Sequence, residues 1–123
     1  MKKRLFRLSM VLATVLVLFA SCMKEKEYDE SKIVGKWEAV IDGETYTYEF
    51  KSNHEGSKQY QSYDAQSLTW SLDEDELALR IQSVGSTNII GYETYIIKSL
   101  TDSRMETYEK NDYSKTPIIF KRI

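Results

Sequence analysis

The chain has few of the residues on which catalytic and metal sites depend. Its 123 residues include one cysteine, Cys22, and one histidine, His54. A lone cysteine permits no disulfide within the chain, and one histidine is too few for a zinc site. His54 lies in a glycine-containing turn, where a solvated loop position is expected, so no Ser-His-Asp or Cys-His arrangement is credited. The sequence therefore predicts a protein that is not an enzyme and that holds no metal or other cofactor.

The chain also lacks an apolar run long enough to cross a membrane as a helix. Its longest such stretch, Met10 to Ala20, has 11 residues, whereas a spanning helix needs about 20. Four basic residues and no acid precede this stretch within residues 1–7, and small residues follow it. The order of basic, apolar and small residues predicts a signal peptide over residues 1–21.

Cys22 stands directly after this segment. The run Leu18-Phe19-Ala20-Ser21-Cys22 resembles the lipobox of bacterial lipoproteins, in which small residues precede a cysteine. That resemblance implies cleavage before Cys22, acylation of its thiol, and a mature protein held to the outer membrane by its acyl chains, either in the periplasm or at the surface. An ordinary secretory signal is the alternative.

A charged segment is expected to follow the lipidated cysteine. Most residues between Met23 and Lys32 are charged, which predicts that residues 22–32 form a solvated tether. Removal of residues 1–21 leaves 102 residues with 13 Lys and Arg against 19 Asp and Glu, a net charge of −6. This size favours one domain, over residues 33–123, and the negative charge argues against nucleic acid as a partner.

From Ile33 onward the apolar residues recur with a period of two, as in half-buried strands. Asp42-Gly43-Glu44 has the glycine expected of a tight hairpin, Asn53-His54-Glu55-Gly56 reads as the next turn, and residues 83–88 read as a loop. The pattern predicts eight strands, near residues 36–41, 45–51, 58–62, 68–72, 77–82, 92–100, 104–109 and 118–122.

The connections between these strands are too short for parallel crossovers, so an antiparallel up-and-down meander is expected. A flat sheet of eight strands would leave an apolar face in water and two open edges. Closure into a small barrel removes both problems. The predicted fold is therefore all-β, an eight-stranded antiparallel barrel, with a two-sheet β-sandwich as the alternative.

Short motifs in this part of the chain resemble those of the lipocalins. Gly35-Lys36-Trp37 matches the G-x-W motif on the first strand, and Arg122 lies where that family places an arginine against the tryptophan. The segment from Tyr95 to the closing strand is similar to the lipocalin-like domains of bacterial lipoproteins. The resemblance implies a barrel closed at its bottom by Trp37 and Arg122, with a small apolar or amphipathic ligand in its mouth.

Aromatic residues on the inner side of the strands suggest where a ligand would lie. The candidate lining residues are Tyr46, Tyr48, Phe50, Trp70, Leu79 and Tyr95. So many rings could instead fill an eight-stranded barrel completely. In that case we expect a protein-interaction module, such as an inhibitor or a subunit of an envelope complex. Its contacts would come from tyrosines on weak strands and connections, namely Tyr60, Tyr63, Tyr108 and Tyr113.

Overall fold

A computed structural model describes residues 27–123 of the chain. The predicted signal peptide and Cys22 lie outside the described residues, so cleavage and lipidation stay predictions. The described elements are a 3₁₀ helix (Glu30–Lys32) and strands β1 (Gly35–Ile41), β2 (Glu44–Phe50), β3 (Glu55–Tyr60), β4 (Gln66–Asp73), β5 (Glu76–Gln82), β6 (Ile89–Leu100), β7 (Arg104–Glu109) and β8 (Ile118–Arg122). Within residues 27–123, no helix is long and apolar enough to cross a membrane.

The strands form one closed barrel in chain order. Each strand pairs antiparallel with the next, and β8 returns to pair antiparallel with β1. The closing seam consists of three residue pairs, Trp37 with Arg122, Glu38 with Lys121, and Ala39 with Phe120. The predicted eight-stranded meander and its closure are thereby confirmed, and the β-sandwich is excluded.

Alternation along the strands produces the core, because successive side chains point to opposite faces of a sheet. On β1 the inward residues Trp37 and Ala39 are buried while Glu38 and Val40 face solvent. The buried apolar side chains are Ile33, Trp37, Ala39, Tyr48, Phe50, Leu68, Trp70, Leu77, Leu79, Ile81, Tyr95, Ile97, Met105, Ile118 and Phe120.

Two of the predicted turns have different outcomes. Asp42 and Gly43 both have positive φ (53° and 80°) and connect the paired residues Ile41 and Glu44, as expected of a two-residue hairpin turn. The turn expected at residues 53–56 lies earlier, because β3 already begins at Glu55. The residue with positive φ there is His54 (66°).

Gly56 has a packing role within β3. A Cβ atom on Gly56 would lie 2.0 Å from the carbonyl oxygen of Glu49 on the adjacent strand. Only glycine permits such a close approach of two backbones. The sequence reading of this glycine as a turn residue was therefore wrong, and the physical reason is a contact between strands.

β6 is longer than predicted and extends beyond its neighbour β7. Its pairing with β7 begins at Tyr95, opposite Glu109, while its pairing with β5 extends back to Ile89. The Lys110 backbone N–H adds one further hydrogen bond to the Thr94 carbonyl. Within the described chain, the first residues of β6 thus have a paired strand on one side only.

The two ends of the barrel differ. The end that carries the 3₁₀ helix, here called the helix end, also has the turns at residues 51–54, 74–75 and 101–103. The opposite end, here called the far end, has the turns at residues 42–43, 61–65, 83–88 and 110–117. Ile33 is fully buried and Tyr28 packs against the core, so part of the predicted tether is in contact with the helix end.

Candidate functional site

Trp37 and Arg122 close the helix end. The Arg122 guanidinium carbon lies 4.2 Å from the Trp37 ring centroid, a cation–π geometry. Arg122 also donates to three backbone carbonyls, those of Val34 (2.9 Å), Lys32 (2.7 Å) and Asp102 (2.5 Å). The two residues that the lipocalin resemblance paired thus lie together, in an arrangement that joins the helix, β8 and a turn.

Gly35 makes room for this arginine. Its φ of +136° is one that side-chain-bearing residues rarely adopt, and a Cβ here would lie 2.2 Å from an Arg122 nitrogen. The Trp37 indole N–H donates to the Ile33 carbonyl at 2.8 Å. The Trp37 indole and the Arg122 guanidinium thus both donate to carbonyls of the chain itself, which gives this closure a structural role.

Three of the candidate lining residues lie in the packed interior. Phe50, Trp70 and Leu79 are 1%, 3% and 1% exposed. The Phe50 and Trp70 rings meet edge to face at 5.7 Å. The Trp70 indole N–H donates to the Lys51 carbonyl in the turn between β2 and β3, at 3.0 Å. Leu79 is the neighbour of Trp70 on the adjacent strand, and we call these three packed side chains the floor of the barrel.

Tyr48 and Tyr95 occupy the middle of the barrel, one from each side. Both pack against Phe120, which the sequence reading did not select, with ring centroids 5.2 Å and 5.3 Å away. Their hydroxyl oxygens lie 3.5 Å apart. The two tyrosines therefore present apolar ring faces to the core and converge through their polar atoms.

Both hydroxyls meet the carboxylate of Glu93. One Glu93 oxygen accepts from Tyr48 at 2.9 Å and from Tyr95 at 2.6 Å. The other accepts from the Lys58 ammonium at 2.5 Å. A carboxylate in this position is acceptable because donors surround it, since an unpaired buried charge would be costly.

The Lys58 ammonium lies above aromatic rings as well as against the carboxylate. Its nitrogen is 4.6 Å from the Tyr46 centroid and 5.8 Å from the Tyr48 centroid. The Lys58 and Glu93 side chains are 17% and 22% exposed, whereas Tyr48 and Tyr95 are at most 1% exposed. Polarity thus extends from the surface into the core. We call Tyr46, Tyr48, Lys58, Glu93 and Tyr95 the lysine site.

Burial controls the protonation of the two inner tyrosines. Desolvation raises the pKa of Tyr48 and of Tyr95 far above the ordinary value of 10.0, and the negative charge of Glu93 raises both further. Both phenols consequently stay protonated at neutral pH and act as donors to Glu93.

A tyrosine row continues from the lysine site to the far end. The Tyr46 ring lies 5.3 Å from Tyr60, and Tyr60 stacks on Tyr63 at 5.6 Å with nearly parallel planes. The Tyr60 hydroxyl donates to Glu44 at 2.5 Å. Tyr63 is 64% exposed, so this row, Tyr46, Tyr60 and Tyr63, ends in a ring that solvent can reach.

The sequence reading missed the two charged members of the lysine site. Lys58 has the same inward parity as Tyr60 on β3, and Glu93 has the same parity as Tyr95 on β6. Alternation alone would have placed both inside the barrel. Their charge predicts exposed positions instead, because charged residues are seldom buried unless they are paired. Pairing between distant strands is not visible in a sequence.

His54 has a local role. Its ring pairs with the Glu30 carboxylate and packs edge to face on Trp70 at 5.0 Å. In the part of the chain that the structure describes, no three His, Cys, Asp or Glu side chains come together as metal ligands would.

No protein-family model, curated protein or solved structure matches this chain. The resemblance to lipocalins stays a prediction.

Proposed function

We propose that this protein is a non-enzymatic, lipid-anchored protein of the cell envelope that binds a small amphipathic molecule at the mouth of its barrel, at the far end. The observation that carries the proposal is the lysine site. Its tyrosines Tyr48 and Tyr95 are buried in the core, whereas Lys58 and Glu93 are partly exposed to solvent. The site thus connects the packed floor with the surface.

The packed floor limits how deep a ligand can go. Phe50, Trp70 and Leu79 are in contact with other core side chains, and opening a space among them would cost the packing energy of large apolar groups. The tyrosine row offers an alternative surface, since its rings are apolar on their faces and polar at their hydroxyls. An amphipathic ligand would lie along the row with its polar group toward the lysine site.

The predicted acyl anchor would leave the far end of the barrel accessible to such a ligand. Tyr28 contacts the helix end, and Cys22 is only six residues earlier. Six residues span at most about 20 Å when fully extended. An acylated Cys22 would therefore hold the helix end close to the bilayer and leave the far end, with the tyrosine row, directed away from it.

The test is an NMR titration of the full-length, isotope-labelled protein with octanol, octanoate and octylammonium in separate experiments. The amide chemical shifts are measured at each ligand concentration. We expect saturable shifts at Lys58, Tyr60 and Glu93 with at least one of these amphiphiles. The helix-end residues Lys51 and Asp75 serve as internal controls and should not move. Absence of saturable shifts with all three probes, or shifts confined to the helix end, would overturn the proposal.

A second candidate function, a protein-interaction module, is favoured by the exposed residues of the far end. Tyr63 and Tyr113 are 64% and 101% exposed, and Val84 is 51% exposed. They lie in three different turns of that end. Exposed aromatic residues are enriched at protein interfaces. Of the four tyrosines expected to contact a partner, Tyr60 and Tyr108 are half-buried.

Photo-crosslinking in intact cells tests the second candidate. A photoreactive phenylalanine at position 113 should give a protein adduct, and the same group at the exposed helix-end position 51 is the matched control. An adduct at position 113 only supports a partner at the far end. If only monomer is recovered from both, the interaction module is rejected.

A further inference from the structure

We propose that the lysine site is a binding site for a primary ammonium group, that Lys58 is its built-in occupant, and that the ligand of this protein carries an alkylammonium group that takes the place of Lys58. The inference rests on the proposed function, in that it names the chemical class of the ligand at the same mouth.

The surroundings of the Lys58 nitrogen are those of an ammonium receptor. A carboxylate oxygen lies 2.5 Å away and two tyrosine rings lie 4.6 Å and 5.8 Å away. The rings attract a cation through their negative faces, and the carboxylate compensates its charge. An anionic head group would meet Glu93 as a like charge, and a neutral one would leave Glu93 without its counter-ion.

Glu93 is preorganised by groups other than Lys58. The two phenols of Tyr48 and Tyr95 fix one of its oxygens, which leaves the other directed toward the ammonium. Because these donors remain when the ammonium leaves, the receptor half of the site is retained without Lys58. Preorganisation of this kind reduces the cost of binding a ligand.

Lys58 can also leave without breaking the fold. Its side chain is already 17% exposed, so rotation about its flexible stem brings the ammonium into water, where it is well solvated. The net negative charge of the described chain also favours a cation as the ligand that replaces the Lys58 ammonium. Residues 27–123 hold 11 Lys and Arg against 18 Asp and Glu, and a net negative surface raises the local concentration of cations.

The experiment removes the Lys58 side chain by substitution and adds the missing atoms back as a free amine. Lys58→Ala deletes the three outer methylenes and the ammonium, and n-propylammonium has the same atoms. We expect Lys58→Ala in the full-length protein to melt lower than wild type. At a tenfold excess over its Kd, propylammonium should raise that Tm by roughly 5–10 °C. If the variant is unfolded without amine, the same addition should restore its β-sheet circular dichroism.

Four controls define the ammonium site. Propanol, which has the same stem without the charge, should have no comparable effect on Lys58→Ala. Lys58→Met keeps the space filled and should not respond to propylammonium. The double variant Lys58→Ala, Glu93→Gln should lose the response, and Lys51→Ala, which removes an exposed lysine at the helix end, should show none.

Competition by Lys58 is measured with a longer amine. Octylammonium should bind Lys58→Ala at least tenfold more tightly than it binds wild type. Equal affinities would overturn the role of Lys58 as occupant, and equal effects of propanol and propylammonium would overturn the ammonium site. Saturable shifts with octanol or octanoate would still support the proposed function after either result. Failure of this inference and failure of the proposed function are therefore distinguishable.

Discussion

At the residue scale, Tyr48 and Tyr95 couple the stability of the barrel to alkaline pH. The pKa of each is raised in the folded protein, first by burial and then by neighbouring charges, those of Tyr95 and Glu93 for Tyr48 and that of Glu93 for Tyr95. In the unfolded chain both ionise near 10.0. Their contribution to stability is therefore complete below about pH 10 and is lost progressively as the pH rises above it.

A spectrophotometric titration of phenolate absorbance checks this prediction. We expect Tyr48 and Tyr95, out of nine tyrosines, to ionise only when the β-sheet circular dichroism is lost. The variant Tyr48→Phe identifies which part of the late phase belongs to that residue. Ionisation of all nine before any loss of circular dichroism would contradict the assignment of a desolvated pair.

The residues of the lysine site differ in how well they could be predicted from the sequence. Tyr46 and Tyr48 could be assigned to the interior because aromatic residues alternate with polar ones along β2. On β6 the pattern is less regular, since Tyr92 and Tyr95 lie on opposite faces and only Tyr95 is buried. Lys58 and Glu93 follow the same alternation, but each is acceptable inside because it pairs with the other, and Glu93 also accepts from Tyr48 and Tyr95. That dependence is a property of two strands far apart in sequence, and one sequence without its fold does not reveal it.

At the element scale, β2 and β3 approach each other so closely that one position tolerates no side chain. Gly56→Ala places its Cβ 2.0 Å from the Glu49 carbonyl oxygen, so the strands must separate. We expect a loss of about 2 kcal/mol or more in the free energy of unfolding. Gly91→Ala is the matched control, because a Cβ at Gly91 meets nothing within 4 Å.

Urea denaturation of both variants is the measurement. Gly91→Ala should stay within about 0.5 kcal/mol of wild type. A Gly56→Ala variant as stable as Gly91→Ala would show that the contact between β2 and β3 relaxes without cost.

Turns and strands differed in how well they could be predicted. The turn at Asp42 and Gly43 follows from local backbone chemistry, since positive φ at two successive positions suits these residue types. The start of β3 depends on what Gly56 meets across the sheet. The start of β6 at Ile89 depends on its pairing with Gln82 of β5, and that is decided by strand register in the assembled barrel.

At the scale of the whole molecule, closure was predictable because the alternative is physically unfavourable. Eight amphipathic strands with short connections have an apolar face to cover and two edges to pair, and one closed barrel satisfies both conditions. What the barrel binds was not predictable in the same way. Core rings and lining rings have the same sequence pattern, and only the packing distinguishes them.

The proposed acyl anchor provides a prediction for the intact protein. Cys22→Ala removes the thiol that acylation would need, at a position outside the described barrel. We expect the variant to leave carbonate-washed envelopes, whereas the wild type stays with them. Its Tm should remain within about 3 °C of wild type, because the buried core residues of the described barrel all lie at or beyond Ile33. A variant that remains in the membrane would argue for an ordinary signal and a different means of attachment.

The seam between β1 and β8 has a consequence for biosynthesis. It joins residues from the two extremes of the domain, Trp37 with Arg122 and Ala39 with Phe120, so no shorter chain can complete the barrel. While β8 is still within the ribosome, the growing polypeptide has two unpaired strand edges and no closed core. The barrel can therefore close only after β8 has been synthesised and has emerged, which makes its folding depend on contacts between residues far apart in sequence.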